Sequence, residues 1–354
     1  MPGWGQILKE IQQSAAQRGG QPDTDGIRAK YITQLHKHTG RAVIVYASGW
    51  LHSGGMQDLD YLVNPLDVHA FMEVCHEVKE KELDLIIHSP GGYPGAAEQI
   101  MNYLRTRFKH IRALVPLQAK SAATMMALGC DEIVLGAHSE LGPIDPQIAV
   151  PIPGGTRYAP AIAILRDFER AKRELAENVE ALPAWTPILH AYAGGLFEIC
   201  TQQLLLSQEV VIGWLKQYML AHPDAGVSES EREEVAKNIA EWFGSETSYD
   251  RFHDHGRPIR IEELQSVRGL RVRRLEENHA LQDNVLSIYH VLDFAFGGPA
   301  IKVVENHNGK RYVRIKQQLI IQQVPPAQGP NVNPAPQSTR PAYPPAAQKP
   351  KRRR

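Results

Sequence analysis

From residue 41 onward, compact runs of β-branched and aliphatic residues alternate with amphipathic stretches. Residues 42–46 (AVIVY), 83–88 (LDLIIH), 111–116 and 132–136 each read as a short buried strand bounded by turn residues. Residues 68–79, 96–108 and 122–129 carry apolar positions at helical spacing. Strands and helices alternating through short connections predict an α/β fold, a mostly parallel sheet layered with helices. Beyond Pro160 the pattern becomes chiefly helical, giving a helical C-terminal region: a long charged helix over 161–180, another over 201–219, a third over 259–269, then a short strand over 270–275. Residues 221–257 between them are polar and charged. Ahead of the sheet, Trp4, Ile7, Leu8 and Ile11 recur at helical spacing and 27–38 reads helical again, so residues 1–40 form a peripheral helical segment. The main domain is expected over 41–323, with a separate tail over 324–354.

Charge changes the picture of that tail. The chain of 354 residues balances 39 basic against 39 acidic side chains. Yet 324–354 holds six Lys/Arg and no acid, together with nine prolines, so an acidic body carries a basic tail. Such a composition does not bury enough apolar surface to offset the entropy of ordering, and predicts disorder with polyproline II character. Cys75, Cys130 and Cys200 are widely spaced, without the pairs of a zinc knuckle or a disulfide framework. No run of signal-peptide length opens the chain, and no stretch of about 18 apolar residues occurs. A soluble, cytoplasmic protein with no membrane association is the expectation.

Local signatures for nucleotide hydrolysis, dinucleotide binding, the G-x-S-x-G elbow and zincin chemistry are absent, so neither a cofactor nor a metal is expected. Two segments carry the chemistry that remains. Ser89-Pro-Gly-Gly92 ends one strand and enters a helix, where Gly91 and Gly92 let a backbone approach a ligand and expose amides. Lys120-Ser121-Ala122-Ala123-Thr124 lies between the strand over 111–116 and the next helix, with Ser121 at the helix start and the Ala122 amide behind it. Taken singly, the first reads equally as a turn and the second as an ordinary N-cap. Taken together, consecutive parallel strands place both at the carboxyl edge of the sheet, a nucleophile facing an oxyanion hole.

The order S-P-G-G, helix, strand, A-K-S-A-A-T-M-M-A-L-G-C-D-E-I-V, then H-S-E-L-G-P-I-D-P-Q resembles the serine dehydrogenase proteinase family, a Clp-protease-like branch of the Clp/crotonase fold. The resemblance runs over about 25–310, including D-H-G-R-P-I (254–259) and E-N-H-N-G (305–309). It implies a serine peptidase with a triad in the chain order Ser, Asp, His. Ser121 then stands at the nucleophile, Asp145 at the aspartate and His255 at the histidine. Gly91 or Gly92, with the Ala122 amide, would form the oxyanion hole. Lys120 departs from the resemblance, which implies a neutral residue there.

Each position has a competitor. Asp145, between prolines, reads also as a turn residue; His253 stands beside His255; His138 lies nearer to where Clp proteases keep their histidine. Proteases of the signal peptide peptidase A type use a Ser-Lys dyad, which points to Lys172 as an alternative base. Two other classes of function compete with the peptidase: a crotonase-type acyl-CoA enzyme, with Glu98 as acid/base, and a catalytically weak scaffold whose basic tail touches acidic partners. The acidic body argues against nucleic acid as substrate. Peptides or unfolded proteins are the expected substrates. The resemblance implies a homo-oligomer, and the lack of a nucleotide motif leaves any unfolding to a separate ATPase partner.

Overall fold

The computed structural model describes residues 3–53, 59–152, 154–192 and 194–316; the basic, proline-rich tail lies outside the described residues. Two N-terminal helices, α1 (Trp4–Gln17) and α2 (Thr24–Thr39), precede β1 (Ala42–Ser48). There follow α3 (Asp67–Cys75), β2 (Glu82–His88), α4 (Pro94–Arg107), β3 (His110–Val115), β4 (Gln118–Ala119), α5 (Ala122–Leu128), β5 (Glu132–Leu135) and β6 (Glu140–Leu141). A hairpin of β7 (Gln147–Ile152) and β8 (Gly155–Pro160) leads into α6 (Ala161–Glu177), α7 (Leu182–His190), α8 (Leu196–Gln217), α9 (Arg232–Gly244), α10 (Glu246–Phe252) and α11 (Ile261–Gln265). The described residues close with β9 (Val272–Arg274), α12 (His279–Phe296), β10 (Ala300–Asn306) and β11 (Arg311–Ile315).

The main sheet has the order β11-β10-β1-β2-β3-β5-β9. Strands β1, β2, β3, β5 and β9 are parallel, and the β10–β11 hairpin adds an antiparallel edge. Because successive side chains point to opposite faces, the central strands divide their apolar residues by parity. Ile44 and Tyr46, Leu83 and Leu85, Ala113 and Val115, Ile133 and Leu135 face a core built with α3, α4, α5, α8 and α9. Val43 and Val45, Ile86, Leu114 and Val134 face α2 and α12 on the other side. Near-continuous apolar runs are what strands buried on both faces require, and these runs made β1, β2, β3 and β5 legible. The peripheral helix α1 places Ile7 and Ile11 against Ile27 and Val291.

Three expectations for the second half change. The polar stretch 221–257 contains α9 and α10, whose charged faces are exposed while Val235, Ile239, Phe243 and Phe252 are buried. The helix expected over 259–269 shortens to α11 because Ile259 forms a backbone bridge with Leu141. The chiefly helical reading beyond Pro160 omits the β7–β8 and β10–β11 hairpins. Charge obscured β10: Lys302 and Glu305 interrupt an apolar run, yet both are buried, Glu305 against the Arg28 guanidinium of α2.

His88 ends β2 in a slot between Trp50, ring centroids 4.4 Å apart, and Tyr289, 4.9 Å. Burial, reinforced by nearby His52, pushes its pKa down from 6.5 to about 3, so the folded chain holds it neutral. Between those two values the unfolded chain binds a proton that the folded chain does not. Stability therefore falls as pH drops through that window, by up to about 1.4 kcal/mol per pH unit. His88→Gln removes this contribution: urea melts at about pH 7 and about pH 5 should differ less for the variant than for the parent, and an unchanged difference would refute the assignment.

Candidate active site

Beyond the ends of β2 and β3 the chain builds a second, smaller ladder. Ser89 bridges Ala119: the Ser89 amide donates to the Gln118 carbonyl and the Lys120 amide to the Ser89 carbonyl, each at 3.0 Å. Strand β4 pairs with β6 in parallel. Leu141 of β6 then exchanges two 3.0 Å backbone hydrogen bonds with Ile259. Four segments distant in sequence thus lie side by side, and each carries a candidate within four residues of its pairing point: Gly91–Gly92 after Ser89, Ser121 after β4, Asp145 after β6, His255 before Ile259.

Ser121 occupies the turn between β4 and α5 with φ 50° and ψ −120°. A non-glycine residue at positive φ is strained, and a surrounding structure that holds it there marks a site where geometry matters more than comfort. Its side chain does not cap the helix, so the N-cap reading does not describe what the hydroxyl does. The serine is partly exposed, and its hydroxyl makes no hydrogen bond among the described residues. The six residues that follow it are buried, and Thr124 fastens the turn by donating to the Ala119 carbonyl at 2.7 Å while accepting from the Gly142 amide at 3.0 Å.

Gly91 lies against this turn. With φ +90°, it takes a conformation that glycine alone adopts freely, and an added Cβ would stand 2.4 Å from the Lys120 carbonyl oxygen and 2.9 Å from the Ala122 nitrogen. The Cβ side of Gly92 faces Val63, which pairs around it and leaves the Gly92 amide unused: the Val63 amide donates to Gly91 O at 2.8 Å and the Tyr93 amide to Val63 O at 2.9 Å. The Gly91 amide donates to Ser89 Oγ at 3.2 Å. The amides of Gly92 and Ala122 have no acceptor among the described residues.

Asp145 is buried, its side chain 4% exposed, and its Oδ1 lies 2.7 Å from Nδ1 of His255. Its Oδ2 accepts from Gln147 Nε2 at 2.9 Å, and the Ile144 amide donates to the Phe243 carbonyl of α9. The carboxylate is therefore fixed and aimed at the ring rather than spent on its own turn. The ring's other nitrogen, Nε2, is left for a different partner. Of the two contacts a serine triad would need, the His–Asp one is present, and Ser121 and His255 make no hydrogen bond to each other among the described residues.

The competing residues are placed otherwise. His253 is the left-handed C-cap of α10, its amide donating to Tyr249 O at 2.9 Å, with its side chain exposed. His138 Nε2 lies 3.0 Å from the Pro116 carbonyl oxygen. Lys172 is exposed on α6 and paired with Glu169 at 2.9 Å. Glu98 sits half-buried in α4. Lys120, the departure from the resemblance, reaches Glu140 at 2.7 Å and donates to the carbonyls of Leu141 at 3.2 Å and Gly256 at 3.5 Å, strapping the His255 loop to the serine turn.

The glycine loop is supported by residues outside the two motif segments. Lys302 of β10, fully buried, donates to both Asp67 oxygens at 2.8 Å and to the Leu62 carbonyl at 2.7 Å. Asp67 accepts also from Tyr46 Oη at 2.7 Å and from the Asn64 amide at 3.0 Å. Tyr46, whose pKa burial and the adjacent carboxylate drive well above the usual phenol value, interacts in turn with Ser89. The chain Lys302–Asp67–Tyr46–Ser89 ends on the Gly91 amide, and the same lysine holds the 62–64 segment against Gly92. A lysine inside the apolar run of β10 was the available signal.

Residues 70–180 match the family of ClpP-like SDH-type serine proteinases. Over that segment, about a third of its length, the chain is similar to that family. The matched segment holds Gly91, Gly92, Ser121, Ala122, Asp145 and Lys172; His255 lies beyond it, placed by the contact with Asp145. Two uncharacterized proteins of Methanocaldococcus jannaschii are similar, one 44% identical over 100 residues (28% of this chain, 32% of the relative), the other 33% identical over 159 (43% and 50%). The chain thus spans about a third to a half of the curated relatives it matches. Among solved structures, variants of the 1510-N membrane-bound stomatin-specific protease, one in complex with a substrate peptide, overlap 60% of this chain and 74% or 70% of theirs, at 14% and 15% identity and a TM-score of 0.33. Among the described residues no helix is long and apolar enough to cross a membrane.

Removing the ammonium from the buried network tests its importance. Lys302→Met leaves Asp67 buried without its cation, and breaking such a pair costs about 3–5 kcal/mol; urea denaturation should register that loss, and the double change Lys302→Met with Asp67→Leu should recover much of it. A single variant as stable as the parent would show the pair to be incidental.

Proposed function

We propose that the chain is a serine endopeptidase in which Ser121 attacks the scissile carbonyl. His255, through Nε2, takes the serine proton and returns it to the leaving amine. Asp145 holds the ring with Nδ1 protonated and stabilises the imidazolium that forms. The amides of Gly92 and Ala122 receive the developing oxyanion, and the Gly91 backbone keeps the two strands of that hole in contact. The observation that carries this reading is the 2.7 Å contact between Asp145 and His255 on the same small ladder that holds Ser121 at positive φ. The family supports peptide-bond chemistry over acyl-CoA chemistry, because a strained serine has no role in the latter.

Peptides or unstructured segments are the substrates that fit a site built without an unfolding motor, and a separate ATPase would be needed for folded ones. Association into a homo-oligomer is supported by exposed apolar side chains on one stretch of chain: Ile152 and Tyr158 of the β7–β8 hairpin, Leu182 and Ile188 of α7, and Ile199 of α8. Light scattering on the purified chain should give a mass that is a multiple of the protomer's, and replacing Ile152 and Ile199 by Asp should lower it; a monomer at every concentration overturns the proposal.

The catalytic assignment is tested by substitution. Ser121→Ala should abolish fluorophosphonate labelling and lower kcat by about a million-fold. Asp145→Asn should cost about ten-thousand-fold with the fold intact, because it orients the wrong tautomer. Lys172→Ala should leave both labelling and hydrolysis unchanged. Labelling that survives in Ser121→Ala, or activity that disappears in Lys172→Ala while Asp145→Asn keeps it, would move the assignment to another nucleophile or to a Ser-Lys dyad.

A further inference from the structure

At the opposite edge of the sheet, near the start of β1, three side chains from distant parts of the chain converge. His36 comes from the last turn of α2, Glu80 from the loop between α3 and β2, and His307 from the turn between β10 and β11. Their ligating atoms all lie within 4.8 Å of one another. His307 Nε2 is 3.4 Å and His36 Nε2 3.9 Å from Glu80 Oε1. The two imidazoles stack with centroids 4.2 Å apart and planes inclined by 23°, which brings both Nε2 atoms to the same side.

We propose that His36, Glu80 and His307 bind one divalent transition-metal ion, zinc by preference, with a water in the fourth position. Two imidazoles and one carboxylate are the donor set that zinc accepts in a tetrahedral site. The surroundings orient each donor. His36 Nδ1 lies 2.7 Å from the Arg41 carbonyl oxygen, so it carries the proton and turns the lone pair of Nε2 toward the cluster. Glu80 Oε2 accepts from the Lys79 amide at 3.1 Å, leaving Oε1 for the ion. The His307 side chain is only 2% exposed, and its Nε2 faces Glu80 Oε1 at 3.4 Å without making a hydrogen bond; Nδ1 accepts from the Val43 amide at 3.2 Å and lies 3.4 Å from the Val43 carbonyl oxygen, and the ring proton must move to Nδ1, facing that carbonyl, for Nε2 to become a ligand. A buried nitrogen that makes no hydrogen bond, 3.4 Å from a carboxylate oxygen and beside a second imidazole, is the feature that points to a cation. Bond lengths of about 2.0–2.1 Å require donor separations of about 3.3 Å; rotation of the partly exposed Glu80 side chain closes the 3.9 Å gap to His36, and the two imidazole rings must also draw together. The ion would tie α2, the edge hairpin and the α3–β2 loop together, remote in the topology from the serine ladder.

The experiment uses the full chain stripped of metal by chelation and then titrated with cobalt(II) as a spectroscopic probe and with zinc. The expected result is one equivalent of cobalt with the visible bands of a low-coordinate site, displaced by zinc, together with a zinc-dependent rise in melting temperature. Glu80→Gln and His307→Gln should each weaken binding by about tenfold or more and abolish the rise, whereas His255→Ala should bind as the parent does. Glu80→Gln, in a loop, should melt with the parent in chelator, so it carries the test if His307→Gln does not fold. Absence of stoichiometric cobalt binding at micromolar protein, or parent-like binding by Glu80→Gln, overturns the proposal.

Discussion

Three short backbone pairings bring the candidate residues of this chain together. Ser89 with Ala119, β4 with β6, and Leu141 with Ile259 make a ladder only two residues deep, and it gathers positions 91, 121, 145 and 255. The main sheet sets up the first two by ordinary parallel pairing. The histidine depends wholly on the ladder, since more than a hundred residues separate it from Asp145. Isolated, so small a ladder would be marginal. Here Thr124 ties its serine strand to Gly142, and Lys120 ties its outer members together through Glu140, Leu141 and Gly256.

Beneath the ladder, buried charge does the work of orientation. Lys302, Asp67 and Tyr46 lie in the core with their polar atoms joined, and the line they form ends on Ser89 and Gly91. A buried ion pair adds little net stability over an apolar replacement, but it restricts the arrangement: a lysine and a carboxylate in the core tolerate few geometries that keep both partnered. That property suits a loop whose backbone is held in one arrangement against the Ser121 turn. The positive φ of Ser121 is held beside a helix whose residues are all buried and against a glycine packed so closely that a side chain there would clash with the turn.

The central sheet was legible because its strands are buried on both faces and read as unbroken apolar runs. The later strands were not, for two physical reasons. In β10 the charges that look solvent-facing are internal ion pairs, and in β7 and β8 exposed polar and apolar residues alternate over a hairpin that covers little core. The helices α9 and α10 were hidden by the high charge of their outer faces. The site was legible in parts: small residues around Ser121 and the glycine pair announce a close approach, and the Gly-Pro-Ile-Asp-Pro segment announces a fixed turn. Nothing in spacing alone ranks His255 above His253, two residues away; one is a helix cap and the other meets a buried carboxylate only because Ile259 pairs with Leu141.

The sequence by itself determined the α/β class, the parallel order of strands and helices through residue 136, and the two candidate segments, the glycine pair and the turn at Ser121, because those features are local in the chain and follow from periodicity and from the conformational freedom of glycine. Tertiary structure alone decided which histidine faces Asp145, that Lys120 is a strap, that Lys302 is an internal cation, and that His36, Glu80 and His307 share one corner. Each of these is a relation between residues far apart in sequence, fixed by strand register and burial, and a one-dimensional pattern carries neither.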